Sequence, residues 1–119
     1  MRPHERLDVW KESIDLVVEV YRITASFPKE EMYGLTAQMR RATTSVPANI
    51  AEGCARKGMK EQDQFFFIAR GSLSELETHL LIALRLSYLR EPPFAALKER
   101  CDRIAAMLDG LIRRRGAPK

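Results

Sequence analysis

The sequence predicts an all-α protein: a single-domain, antiparallel up-down four-helix bundle whose second helix is kinked. Apolar residues recur at three-four spacing through four long stretches, and Pro and Gly fall between most of them. No segment alternates apolar and polar as a half-buried strand would. A chain of 119 residues suffices for one core, because folding at this size hides roughly two thirds of the unfolded surface. Short connections between long helices make sequential neighbours antiparallel.

The first helix is expected over residues 8–26, opened by Asp8 as N-cap and stopped by Phe27-Pro28. It carries two apolar stripes. Leu7, Trp10, Ile14, Val17, Tyr21 and Thr24 form one, and Val9, Ser13, Leu16, Val20, Ile23 and Phe27 the other. An outer helix of a monomer needs one stripe, so two imply burial against two sets of neighbours.

The second helix is expected over 35–52, with Gly53 as its C-terminal residue. A third, over 61–89, carries Phe66, Ala69, Leu73, Leu76, Leu80 and Ala83 on one face and is apolar all round from Leu80 to Leu84. Glu91-Pro92-Pro93 interrupts the chain before a fourth helix over 93–114, where Phe94, Leu97, Cys101, Ile104, Leu108 and Leu111 repeat as in a bundle seam. The end, RRRGAPK, is expected to fray.

The net charge of +4 is unevenly placed. Residues 1–33 and 61–109 each carry a net −2, whereas residues 34–60 and the last ten each carry +4. Segregated positive charge attracts phosphate or an acidic protein surface. Two cysteines, Cys54 and Cys101, are too few for a disulfide framework and form no zinc pair. The charged start MRPHERLDVWKE lacks a signal peptide's apolar run, and no later segment reaches the ~18 apolar residues of a membrane span. A soluble, cytoplasmic protein without membrane contact is expected.

Residues Arg40 to Gly53, RRATTSVPANIAEG, place Pro47 inside a helix. Proline lacks an N–H and its ring presses on the carbonyl of Thr43, a cost of about 3 kcal/mol in an unrelieved helix, so a kink is expected. Thr43, Thr44 and Ser45 can donate hydroxyl hydrogens to the freed carbonyls, and Asn49 can both donate and accept. Arg41, Asn49 and Glu52 are expected to form a structural polar network, because buried polar groups demand partners. Catalysis would need an activated nucleophile, and no histidine stands near these hydroxyls in sequence.

GLTAQMRRATTSVPANIAEG, followed by FFFIARGSLSELETHLLIA, resembles the family of 23S rRNA-intervening sequence proteins. The match includes the tryptophan of the first helix and the SFPKEEMYGL turn and covers nearly the whole chain. The resemblance implies a bacterial, left-handed antiparallel bundle assembled as a ring-like homopentamer, which would account for a second apolar stripe. It also implies a distant similarity to the accessory proteins of diversity-generating retroelements, pentameric basic bundles that engage a reverse transcriptase and its RNA. The family name records where some members are encoded, within insertions in ribosomal RNA genes, and brings no activity, cofactor or catalytic residue with it. What carries over is a signature: Arg40, Arg41, Pro47, Asn49, Glu52 and Gly53, then Ala69, Arg70, Gly71, Ser72, Glu75 and Glu77. The family's small residue and glycine before the next arginine are here Cys54 and Ala55, a departure that bears on the loop before Arg56.

Other chemistry finds little footing. Glu75 and His79 share a helix face, but a di-iron bundle needs Glu-x-x-His pairs, which are absent. The spacing of Arg70 and His79 does not match a HEPN ribonuclease motif, and neither a GxxxxGK[ST] nor a GxGxxG loop occurs. Arg56, Lys57 and Lys60 form one basic cluster and Arg113, Arg114 and Arg115 a second, and these with Arg40 are the candidate residues for binding nucleic acid or an acidic partner. With Phe65, Phe66 and Phe67 expected inside, backbone attraction is favoured over base stacking. The expected function is a non-enzymatic homo-oligomeric bundle binding RNA, DNA or a reverse-transcriptase-like protein through repeated basic surface. The alternative is a protein-interaction scaffold without direct nucleic-acid binding.

Overall fold

In the computed structural model the chain is described over residues 1–116, and its side chains over residues 1–112. Four helices follow a 3₁₀ turn at Pro3–Arg6: α1 (Asp8–Thr24), α2 (Leu35–Cys54), α3 (Met59–Arg85) and α4 (Glu91–Gly116), with a second 3₁₀ turn at Lys29–Glu31 between α1 and α2. No strand occurs among the described residues. The helices form a bundle of 49 × 22 × 21 Å.

Packing runs around the bundle. Helix α1 contacts α2, α2 contacts α3, α3 contacts α4 and α4 returns to α1, while the backbones of the diagonal pairs stay more than 8 Å apart between Cα atoms among the described residues. Cross-helix pairs run in opposite order along α2–α3, α3–α4 and α1–α4. Ser45 meets Ser72 while Gly53 lies against Phe66; Arg70 pairs with Asp109 while Glu77 approaches Lys98. Glu12 of α1 pairs with Arg103, and Val9 lines a cleft with Met107.

The inner stripes form the core. Leu16, Val20, Met39, Val46, Ile50, Leu73, Leu76, Leu80, Cys101 and Leu108 are fully enclosed, and Phe66 and Ile104 nearly so. Burial of such side chains is worth about 1.5–3 kcal/mol each against exposure.

Several element ends differ from the sequence reading. Asp8 is the first helical residue, with Leu7 as N-cap, so the carboxylate lies in the first turn and makes no cap hydrogen bond. Helix α1 stops at Thr24, and the chain then turns so that Phe27 packs into the core. Helix α3 ends at Arg85 instead of running to Leu89, because the backbone closes there in a Schellman motif. Tyr88 N–H donates to Ala83 O at 2.9 Å and Ser87 N–H to Leu84 O at 3.0 Å, with Ser87 at φ 65°. Helix α4 starts two residues early: Pro92 and Pro93 sit in its first turn, where the missing N–H groups would have had no partner anyway.

Pro47 stands inside the continuous helix α2. Of the hydroxyls beside it, Thr44 donates to Arg40 O at 2.9 Å and Arg41 O at 3.1 Å, whereas Thr43 Oγ1 is buried with no partner. Gly53 is not a left-handed terminator, for no glycine has positive φ among the described residues. Its place is set by crowding: a Cβ there would lie 2.7 Å from Phe66 Cε1 and 3.0 Å from the carbonyl oxygen of Gln62. Helices α2 and α3 approach closely at that point because no side chain intervenes.

Glu31 ties α1–α2 to α3–α4. One carboxylate oxygen accepts the Leu35 N–H at 3.0 Å, giving α2 its first-turn partner, and the other accepts the Tyr88 hydroxyl at 3.0 Å. That hydrogen bond to a carboxylate raises the Tyr88 pKa above the ordinary phenol value.

Candidate interaction surfaces

The α2–α3 connection lies at one end of the bundle. Arg56 folds back onto Glu52, one turn earlier, and its guanidinium lies 4.8 Å from the centre of the Phe65 ring. Its carbonyl accepts Gln62 Nε2 at 2.7 Å, which closes the loop. Lys57 and Lys60 project into solvent on either side of Gly58.

The same end collects two segments remote in sequence. A shallow cleft of about 200 Å³ is lined by Pro3, Leu7, Cys54, Gln62, Phe66 and Leu111. The N-terminal turn with its exposed Arg2 and Arg6, the α2–α3 loop and the last turns of α4 thus meet at one pole. Helix α4 continues from Leu111 toward Arg113, Arg114 and Arg115, whose side chains lie outside the described residues. Glu5 stands in the same region, its carboxylate accepting the Arg2 backbone N–H at 2.6 Å.

Arg40 is elsewhere. Its Nε donates to Thr24 Oγ1 at 2.9 Å and its guanidinium lies 4.5 Å from the centre of the Tyr21 ring, so it clamps α2 to α1. Arg41, Asn49 and Glu52 do not share one network. Asn49 Nδ2 donates to the carbonyl and hydroxyl of Ser45 at 2.8 and 2.9 Å, and Ser45 reaches Ser72 at 2.9 Å. Glu52 is taken by Arg56, and Arg41 points outward with no side-chain partner among the described residues. At a rise of 1.5 Å per residue Arg41 stands about 12 Å along the axis from Asn49 and about 16 Å from Glu52, too far for one network.

The three phenylalanines separate because consecutive residues of α3 point in different directions around its axis. Phe66 is 2% exposed, Phe65 is half-buried beneath Arg56, and Phe67 is 60% exposed with Ile68 beside it at 50%. Aromatic surface therefore does stand near the basic loop, contrary to the sequence reading. His79 is buried, with Nε2 3.4 Å from Glu75 Oε2 and Nδ1 without a partner. No third ligand joins them: among the described residues no group of three His, Cys, Asp or Glu could hold a metal ion. No helix of the described residues is long and apolar enough to cross a membrane.

A family model, that of the 23S rRNA-intervening sequence protein, matches residues 5–110, from the N-terminal turn to the last turns of α4. The chain belongs to the 23S rRNA-intervening sequence protein family. A crystal structure of a protein of unknown function from the S23 ribosomal protein family of Bacteroides thetaiotaomicron VPI-5482 has the same fold, with a TM-score of 0.80 at 20% identity, covering 88% of this chain and 98% of that one. No curated protein matches the chain. In this member of the 23S rRNA-intervening sequence protein family, the signature residues divide by task. Gly53 lets α2 and α3 approach, Asn49 and Ser72 build one α2–α3 hydrogen-bond cluster, and Arg70 reaches Asp109 of α4 at 3.0 Å.

Proposed function

We propose that this protein is a non-enzymatic, homo-oligomeric helical bundle that binds nucleic acid through its basic pole. The observation that carries the reading is the convergence at one end of three segments. These are the turn with Arg2 and Arg6, the loop with Arg56, Lys57 and Lys60, and the end of α4 that leads into Arg113–Arg115. Neither the loop nor the tail has much field alone, but cations gathered on one surface add. Lys57 and Lys60 are solvent-exposed cations with no ion-pair partner among the described residues and suit phosphate contact; Arg56 is already engaged by Glu52 and Phe65. Arg40, held by Thr24 and Tyr21, acts as a clamp between helices in this reading.

Binding through phosphate is independent of sequence and falls steeply with salt, each contact adding about 0.7–0.9 to the log–log slope. Titration of the purified protein against RNA and DNA at several ionic strengths is the test. Affinity should drop with salt, and Lys57→Gln with Lys60→Gln should lower the slope by about 1.4–1.8. No binding at low ionic strength would remove the nucleic-acid reading.

A protein-scaffold function, in which the pole receives an acidic partner such as a protein that itself handles nucleic acid, is favoured by the Glu52–Arg56 pairing, which removes one cation from the exposed set. Capture of a partner that survives nuclease treatment would select it.

A further inference from the structure

Leading away from the basic loop, α3 turns a ridge outward that is built from Lys60, Gln64, Phe67, Gly71 and Ser74. These residues are three or four apart and all are exposed. The ridge lies opposite the buried stripe of Phe66, Ala69 and Leu73, so neither neighbouring helix covers it. Phe67 is its one apolar member. One turn further on, a Cβ added at Gly71 would meet nothing within 4 Å, so the space beside the ring is unfilled. A mid-helix glycine is unfavourable relative to alanine, and nothing inside the chain crowds this one.

The charges around the ring are unevenly engaged. Lys57 and Lys60 face solvent without an ion-pair partner among the described residues. The carboxylates nearby are mostly committed: Glu52 is taken by Arg56, Asp109 by Arg70, and Asp63 is half-buried with a hydrogen-bond or electrostatic partner of its own. Exposed Glu61 stands about 100° round the helix from Lys60, and Glu75 lies one turn beyond Gly71, beside His79. The open cations therefore sit at the loop end of the ridge, with the ring next in line.

Spacing then selects the ligand. Lys60 is two turns before Phe67, about 10 Å along the axis. That distance is about three stacked nucleotide steps of ~3.4 Å, so a strand whose phosphates lie on the lysines brings a base to the ring. A duplex has no such base to give, because each base face is already covered by the next pair. An unpaired base offers its open face, and stacking on an aromatic side chain tolerates any sequence. The Arg56 guanidinium, 4.8 Å from the centre of the Phe65 ring, adds a second flat surface at the loop.

We infer that the pole takes single-stranded nucleic acid, with Phe67 as the stacking platform for an unpaired base and Lys57 and Lys60 holding the phosphates that lead to it. The inference rests on the nucleic-acid reading proposed above and assigns its substrate class.

Phe67→Ala, Phe67→Leu and Phe67→Tyr test it at an open position, with helicity checked by circular dichroism. Each is titrated with oligo(dT) and with a DNA duplex of the same length. Phe67→Tyr should bind oligo(dT) as the wild type does. Phe67→Ala should bind it about 5- to 150-fold more weakly, and Phe67→Leu, which keeps apolar area but no ring, should lose most of the same. Duplex affinity and the salt slopes should stay unchanged, because no charge is removed. Equal loss on both substrates, no loss on either, or leucine that serves as well as phenylalanine overturns the stacking assignment and leaves the basic pole standing. A Phe67→Ala protein of lower mass by light scattering shows that a second copy covers the ring, and overturns it too. No binding of either nucleic acid by the wild type at low ionic strength overturns both readings.

Discussion

Gly53→Ala tests whether close helix approach sets the α2–α3 packing. The new methyl group would sit 2.7 Å from Phe66 Cε1 and 3.0 Å from the backbone oxygen of Gln62. The ring cannot swing aside cheaply, since Phe66 is 2% exposed and packed among fully buried neighbours. Overpacking of this kind costs about 1–3 kcal/mol, and a clash with backbone lies toward the upper end. Helix propensity works the other way, alanine gaining about 1 kcal/mol over glycine. The net is a loss of about 1–2 kcal/mol. With an unfolding entropy near 2.1 cal/mol/K per residue, a 119-residue chain loses about 4 °C per kcal/mol, so Tm should fall by about 4–8 °C. Thermal melts followed by circular dichroism at one fixed protein concentration measure it, the concentration being held because association shifts Tm by mass action. Adding Phe66→Leu should recover part of the loss relative to Phe66→Leu alone, the signature of two residues sharing one contact. A Gly53→Ala protein that melts above the wild type would refute the reasoning, leaving only the propensity term.

Ser87→Gly should raise stability by about 1 kcal/mol, because Ser87 holds φ 65° at the end of α3 where a Cβ is penalised; an unchanged denaturant midpoint would count against strain there. Thr43→Val should leave stability unchanged or raise it by about 1 kcal/mol in the same assay, since the Thr43 hydroxyl is buried without a partner. Burial pushes the Cys101 thiol up to about 12, so the folded protein keeps a proton that the unfolded chain releases from about pH 8.5 upward. Stability should therefore fall as pH rises above that point, by at most about 1.4 kcal/mol per unit, and Cys101→Ala should lack this component in denaturant melts compared between about pH 8 and 10.

The four helices were legible because their inner stripes are continuous: Phe66 to Ala83 on α3 and Leu97 to Leu108 on α4 are buried as the spacing demands. Their ends were less so, for physical reasons. The Schellman closure after Arg85 uses Ser87 where glycine would have signalled it, and a proline pair marks a helix start as readily as a break. Gly53 was visible, but its reason was not: a glycine after a helical pattern suggests a terminator, and only the position of Phe66 shows a close approach. Ile68, Ile82 and Leu86 lay in the sequence as a second stripe on α3, yet the FFFI run hides it, because consecutive apolar residues have no period. The polar stretch around Pro47 suggests one network by composition, but Arg41 and Asn49 stand about two turns apart along α2, and Asn49 is taken by Ser45 instead.

The meeting of the basic segments was the least accessible feature, because it depends on which helix ends share a pole. Residues 56–60 and the tail are about fifty positions apart, and an up-down bundle of four helices is what returns them to one end. If the protein self-associates as proposed, each copy brings its own pole, and a long phosphate polymer can meet several of them at once. A long RNA should then bind much more tightly than a short oligonucleotide that fits one pole, and both affinities should fall with salt. Equal affinity for both lengths would mean that each pole binds alone.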